Sequence, residues 1–287
     1  MSSQIPPLLE SHLALPPRHS QVLVTSMLGA SSNWLVLRYL TTGRDEEEGA
    51  SGQDEVKVVL VSFMRDYGFW RDGAARLGLN LDAVAKEKRF FFVDGLERLF
   101  LENTAARGQP PPPSLPNRTS HTYLETPRLS DVARTLHAAI DQPLSSSTGP
   151  VVLLMDQPDV LLAAAGGVAE GIDSWGLREL VLDLQEKIHA TILTLAADEP
   201  LVSPQSSTLE IEHASFLLSI AHGAEAVISL RTLESGKARD VSGVVRISSS
   251  SSSNGGGVSG SKRPAETREY LYNVAFDGTV RVFERGQ

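Results

Sequence analysis

An aspartate at the end of a short apolar run is the feature of this chain best placed to do chemistry. Val151–Met155 reads VVLLM, with Gly149-Pro150 before it and Asp156 directly after it. A run that short and that apolar reads as a strand buried on both faces of a parallel sheet. Ligands of such sheets gather at the carboxyl ends of the strands. Asp156 therefore stands where a nucleotide-hydrolysing domain keeps the carboxylate that helps hold Mg²⁺. That chemistry needs two further parts. One is a loop between strand and helix whose backbone N–H groups cradle phosphates, with a lysine on the β/γ oxygens and a Ser or Thr on the metal. The other is a carboxylate that orients the attacking water.

The loop is recognisable and its chemistry is missing. Gln21–Thr25 reads as a strand, Ser26–Asn33 (SMLGASSN) as a small-residue loop around Gly29, and Trp34–Leu40 as a buried helix capped by Asn33. Aligned on the helix start, Ser31 takes the last glycine position, Ser32 the lysine position and Asn33 the Ser/Thr position. Nothing between His19 and Leu37 is Lys or Arg, so no shift of register supplies the lysine. The water-orienting carboxylate is absent too, because Val56–Val61 runs into Ser62-Phe63-Met64 and the next acid is Asp66. Gly29, Ser31, Ser32 and Asn33 form a degenerate phosphate loop beside Asp156, and no cofactor is expected.

Other arrangements fail as well. The chain has no cysteine, which excludes disulfides, thiolate catalysis and Cys-ligated zinc. It has no G-x-S-x-G elbow and no H-E-x-x-H pair. The seven histidines are scattered, so no metal site is expected. His189 is read as a partner of a helix C-terminal dipole, and Asp94 before Gly95 as a turn-former rather than a ligand.

The elements that would position these residues alternate. Asp66–Leu77 reads as a helix with Phe69, Trp70, Ala74 and Leu77 packed on one side, and Arg89–Asp94 as a strand. Ser130 is read as the cap of a helix that buries Val132, Leu136, Ala139 and Ile140. Gly176–His189 is amphipathic, Thr191–Ala196 and Ala226–Arg231 are strands, and Leu209–Ala221 is a helix between them. The chain closes with Tyr270–Phe276, an Asp277-Gly278 turn and Thr279–Phe283. This predicts one α/β domain over 1–287, a mostly parallel central sheet flanked by helices with a C-terminal antiparallel hairpin. Polar, Pro-rich and Ser/Gly-rich insertions are expected at 42–55, 102–128 and 248–267. The formal net charge of -9 disfavours nucleic-acid binding by the chain alone. No apolar run approaches the roughly 18–20 residues that span a bilayer, so the expectation is an intracellular protein with no membrane partner.

The run VVLVSFMRDYGFWRDGAARLGLNL (58–81), followed by RFFFVDGLERLF (89–100), resembles the family of the sixth Elongator subunit in its fungal form. VVLLMDQPD and the closing hairpin fit the same family, so the resemblance covers the core outside the insertions. It implies a RecA-like fold without working Walker motifs and a chain that performs no catalysis itself. It also implies a hetero-hexameric ring with the fourth and fifth Elongator subunits, two copies of each. That ring binds tRNA and serves the catalytic Elongator core, which modifies wobble uridines. The location implied is cytoplasmic and also nuclear.

By the same resemblance, cations near the strand that follows Ala226 are candidates to act on a neighbour's nucleotide site: Arg231, Lys237 and Arg239. The loops Gln157–Trp175 and Ala197–Thr208 are expected to face the ring axis. They contain no Lys or Arg and carry Asp159, Glu170, Asp173, Asp198 and Glu199, leaving the amides of Gly166 and Gly167 for any phosphate. Two alternatives stay open: a ring ATPase subunit acting with residues of a neighbouring subunit, and a stand-alone binding protein for a small molecule.

Overall fold

The computed structural model describes residues 5–41, 55–100, 120–146, 149–165, 171–203, 205–234, 238, 240–249 and 266–284. The expectations for Gly166, Gly167, Glu170, Lys237 and Arg239 fall outside these residues, as does most of each expected insertion.

A 3₁₀ turn (Pro7–Leu9) and α1 (Glu10–Leu13) precede β1 (Ser20–Ser26), α2 (Asn33–Thr41), β2 (Lys57–Ser62), α3 (Tyr67–Arg76), α4 (Leu81–Lys86), β3 (Phe90–Asp94) and α5 (Glu97–Phe100). Then come β4 (His121–Tyr123), α6 (Leu129–Ser146), β5 (Val151–Asp156), α7 (Val160–Ala165), α8 (Ser174–Lys187) and β6 (Ala190–Ala196). The chain continues with α9 (Glu199–Val202), α10 (Thr208–Gly223), β7 (Ala226–Arg231), β8 (Gly243–Ser249), β9 (Glu266–Val274) and β10 (Val280–Phe283).

The ten strands among the described residues form one sheet in the order β10-β9-β8-β7-β1-β6-β5-β2-β3-β4. From β7 to β4 every pairing is parallel, while β8, β9 and β10 extend the β7 edge as an antiparallel meander. The expected mostly parallel sheet with an antiparallel C-terminal hairpin is what the chain builds.

Period-2 alternation divides the core between the two sheet faces. Val22, Val24, Val58, Leu60, Val152, Leu154 and Ile192 pack with α2, α3 and α4. Leu23, Val59, Val61, Leu153, Met155 and Leu193 pack with α6, α7, α8 and α10. Because both faces are covered, the central strands carry no polar alternation, and continuous apolar runs identify them in the sequence.

Local chemistry moves several boundaries. The carbonyl of Ser32, not Asn33, accepts the first α2 bonds, from the N–H groups of Leu35 and Val36. Asp66 caps α3 by accepting from the Phe69 N–H at 2.7 Å. Trp70 and Ala74 are fully buried, but Phe69 is 39% exposed. Phe69 lies about 100° round the helix from Trp70 and packs edge-on against its ring at 5.1 Å, so only one member of the expected core pair is core. Ser130 is the second residue of α6 rather than its cap, since the Arg128 carbonyl accepts from Asp131 and Val132 N–H. The His189 ring bonds the Pro16 carbonyl at 3.0 Å instead of a helix end.

Two of the expected insertions contain strand residues where they are described. β4 lies within 102–128 and pairs with β3, and Leu124 beside it is buried. Ser248 and Ser249 pair with Thr267 and Glu266 across β8 and β9, so these two serines are held by the backbone pairing of the sheet. The loops after β5 and β6 hold α7 and α9. At the start of α10, Ser207 Oγ accepts from the Glu210 N–H while the Glu210 carboxylate accepts from the Ser207 N–H. Ser207→Ala removes one half of this reciprocal cap and is expected to cost about 1 kcal/mol, read as a small drop in denaturant midpoint at unchanged slope.

Candidate functional site

The loop 27–32 stands where a phosphate would be cradled, at the carboxyl end of β1. Gly29 takes φ +91°, a left-handed turn that favours glycine. The turn closes on itself. The Ala30 N–H donates to the Met27 carbonyl at 2.9 Å, and the Asn33 N–H donates to Ser31 Oγ at 3.2 Å. The Leu28 N–H donates to Asp198 Oδ1 at 2.7 Å. Asp198 follows β6, and the Ala197 N–H fixes that segment by donating to the Ser26 carbonyl at 2.8 Å. A carboxylate of the chain itself thus occupies one amide of this loop, and its charge opposes an incoming anion. Ser32, at the lysine position, is buried and points into the fold.

Asp156 is equally committed. β2, β5 and β6 are adjacent, and their register sets Ser62 and Thr194 on either side of it. Ser62 Oγ donates to Asp156 Oδ2 at 2.9 Å, and Thr194 Oγ1 donates to Asp156 Oδ1 at 3.0 Å. The carboxylate is 2% exposed. Burial raises its pKa, against the lowering effect of the two hydroxyl bonds. A metal ligand would need a free lone pair aimed at solvent, whereas both oxygens here tie three strands together. Sequence reasoning found Asp156 and missed Ser62 and Thr194. Ser62 closes the apolar run of β2 with a hydroxyl, which was the available signal, whereas Thr194 lies inside β6.

The other expected positions separate. Asp159 was expected in a loop facing the ring axis, and its side chain is buried, at 5% exposure. Its Oδ2 accepts from the Ala196 N–H at 3.1 Å and lies 3.8 Å from His213 Nδ1. Burial pushes its pKa up to about 6, against the lowering effects of that bond and of His213. The cause of the misplacement is α7, which begins at Val160 and turns the start of the loop inward. Asp173 is exposed, and its carboxylate accepts the Gly176 N–H at 2.7 Å as the cap of α8. Asp94 Oδ1 accepts from both Leu96 and Glu97 N–H, the turn-forming role expected for it. Arg231 is clamped by Glu234 at 3.0 Å and Glu269 at 2.8 Å, so two carboxylates of its own chain engage this cation.

A cavity of about 310 Å³ opens beside the loop, lined mainly by Trp34, Leu37, Leu77, Tyr272 and Val274. Arg38 reaches across its floor to donate to the Gly278 carbonyl at 3.1 Å, fastening the closing hairpin to α2. Its walls come from residues more than two hundred positions apart, which no local pattern reveals. Among the described residues, no cluster of three His, Asp or Glu side chains could hold a metal ion. No described helix is long and apolar enough to cross a membrane.

The family model described as Elongation complex protein 6 matches residues 52–275. An Elongator complex protein 6 homolog from Schizosaccharomyces pombe is 24% identical over 207 residues, covering 71% of this chain and 71% of that protein. The crystal structure of a KaiC-like protein from the hyperthermophilic archaeon Pyrococcus horikoshii OT3 superposes with a TM-score of 0.57 at 16% identity. That likeness covers 99% of this chain and 98% of the other, and shows the fold to be RecA-like. With the family's own pattern running through most of the described core, the chain belongs to the Elongation complex protein 6 family.

Proposed function

We propose that this chain is a non-catalytic structural subunit of an Elongator assembly, a RecA-like domain whose nucleotide site has been converted into internal fastenings. The observation that carries this reading is the Leu28 N–H to Asp198 bond, which sets a carboxylate at the loop a phosphate would occupy. The closed pair of hydroxyls on Asp156 supports it. In this reading the partners are the fourth and fifth Elongator subunits in a hetero-hexameric ring that serves the catalytic core. tRNA binds through the assembled ring, in the cytoplasm and also the nucleus. The acidic segments after β5 and β6 leave most of the cationic contact with tRNA to the partner subunits.

Titration of Mg²⁺-ATP into the purified chain, and into the assembled ring with and without this subunit, tests the reading. The chain alone is expected to bind no nucleotide, and its presence is expected to leave turnover by the ring unchanged. Micromolar binding by the chain, or turnover that requires Arg231, would instead establish the ring-ATPase alternative. Ser32→Ala and Asn33→Ala are expected to leave assembly and tRNA modification intact.

A further inference from the structure

α8 and α10 lie side by side on one sheet face, and both run antiparallel to the strands they connect. Their starts are joined by the Ser174 N–H, which donates to Glu212 Oε2 at 2.7 Å. Each helix buries its inward side, Leu177, Leu180, Val181 and Leu184 on α8 and Ala214, Phe216, Leu217 and Ile220 on α10. Each also carries large apolar side chains on the opposite side. Trp175 and Leu182 are 62% and 45% exposed, and Ile211 and Leu218 are 48% and 56% exposed. Seven residues are close to two helical turns, so each pair stacks in a row pointing away from the core. The two rows lie on neighbouring helices that pack against each other on one sheet face.

The charges around it are mostly of one sign. Glu179 and Glu186 share the outward side of α8 and are exposed. The guanidinium of Arg178 lies 5.8 Å from the Trp175 ring, and Lys187 is engaged with His137. A second copy of this chain, with its net charge of -9, would bring these glutamates against each other. RNA would bring phosphates against them. A protein helix with an apolar stripe flanked by lysines or arginines suits both this surface and its charge.

We propose that the outer face of α8 and α10, centred on Trp175, Leu182, Ile211 and Leu218, is a docking surface for a basic amphipathic helix of a partner protein. The inference rests on the reading of the chain as a subunit of a protein assembly.

Trp34 and Trp70 are buried, so Trp175 reports on this face. The probe is a helical peptide of about 21 residues with a leucine stripe flanked by lysines, long enough to cover both rows. A control peptide carries glutamates in place of the lysines. The full chain is expected to bind the lysine peptide with a blue shift of Trp175 emission that weakens with salt. It is expected to bind the glutamate peptide at least ten times more weakly. Leu182→Asp with Leu218→Asp should reduce binding of the lysine peptide at least tenfold while the melting temperature stays unchanged, since both side chains face solvent. Equal binding of both peptides, or of neither, would overturn the proposal. So would a shift of Trp175 emission by tRNA, or self-association of the chain that the double variant abolishes. Co-elution with the fourth and fifth Elongator subunits is read separately, and its failure alongside peptide binding would retire the functional reading and leave the surface standing.

Discussion

Asp156→Ala is expected to destabilise the chain by about 2–4 kcal/mol, because it removes the acceptor that two buried hydroxyls share. Ser62 and Thr194 are buried and donate to opposite oxygens of this carboxylate. Without it, both hydroxyls are stranded at the junction of β2, β5 and β6, and a void opens between them. Asp156→Asn keeps the volume and one acceptor, so it is expected to cost about 1 kcal/mol or less. An aspartate kept for a metal predicts the reverse order of effects. Its removal would relieve a buried charge, leave stability equal or higher, and abolish binding of Mg²⁺-nucleotide. Urea titrations of the two variants, followed by far-UV circular dichroism, distinguish the cases.

The second large effect is in the pH dependence of stability, and it centres on Asp159. Burial raises the folded-state pKa of this carboxyl to about 6, above its ordinary value. Its contribution to stability is therefore fully present below the unfolded-state pKa and is lost as pH rises through about 6. Over that interval the linkage amounts to about 2–3 kcal/mol. The groups facing it are His213 and, farther off, Asp156, so the slope belongs to a small buried cluster. Asp159→Asn keeps an acceptor for the Ala196 N–H and removes the ionisation. It is expected to gain stability relative to the natural chain between pH 4 and pH 7. A difference between the two proteins that stays constant across this range would show that Asp159 ionises in the fold as freely as in the unfolded chain.

The sequence disclosed the parallel core because strands covered on both faces are predominantly apolar, as Val58–Val61 and Val151–Met155 are. It disclosed a loop without lysine after β1, because a lysine is either present or absent. Short elements held by the backbone were hidden. β4 takes its pairing from β3, and Ser248-Ser249 from β9, although the composition of both segments reads as unstructured. Asp159 was misplaced because the inward turn into α7 depends on a bond to Ala196, which is remote in sequence. The Asp198 contact with Leu28 spans 170 positions and no local motif carries it. The outward rows of α8 and α10 are a further case. Seven-residue spacing is plain in the sequence, but only the packing shows that Trp175 and Leu218 lie on the side away from the core.

Size-exclusion chromatography with light scattering on the chain co-expressed with the fourth and fifth Elongator subunits tests the scaffold reading most directly. One species with the mass of two copies of each subunit, formed without added nucleotide, is expected. The chain eluting by itself as a 31.0 kDa monomer, with its partners assembling in its absence, would contradict it.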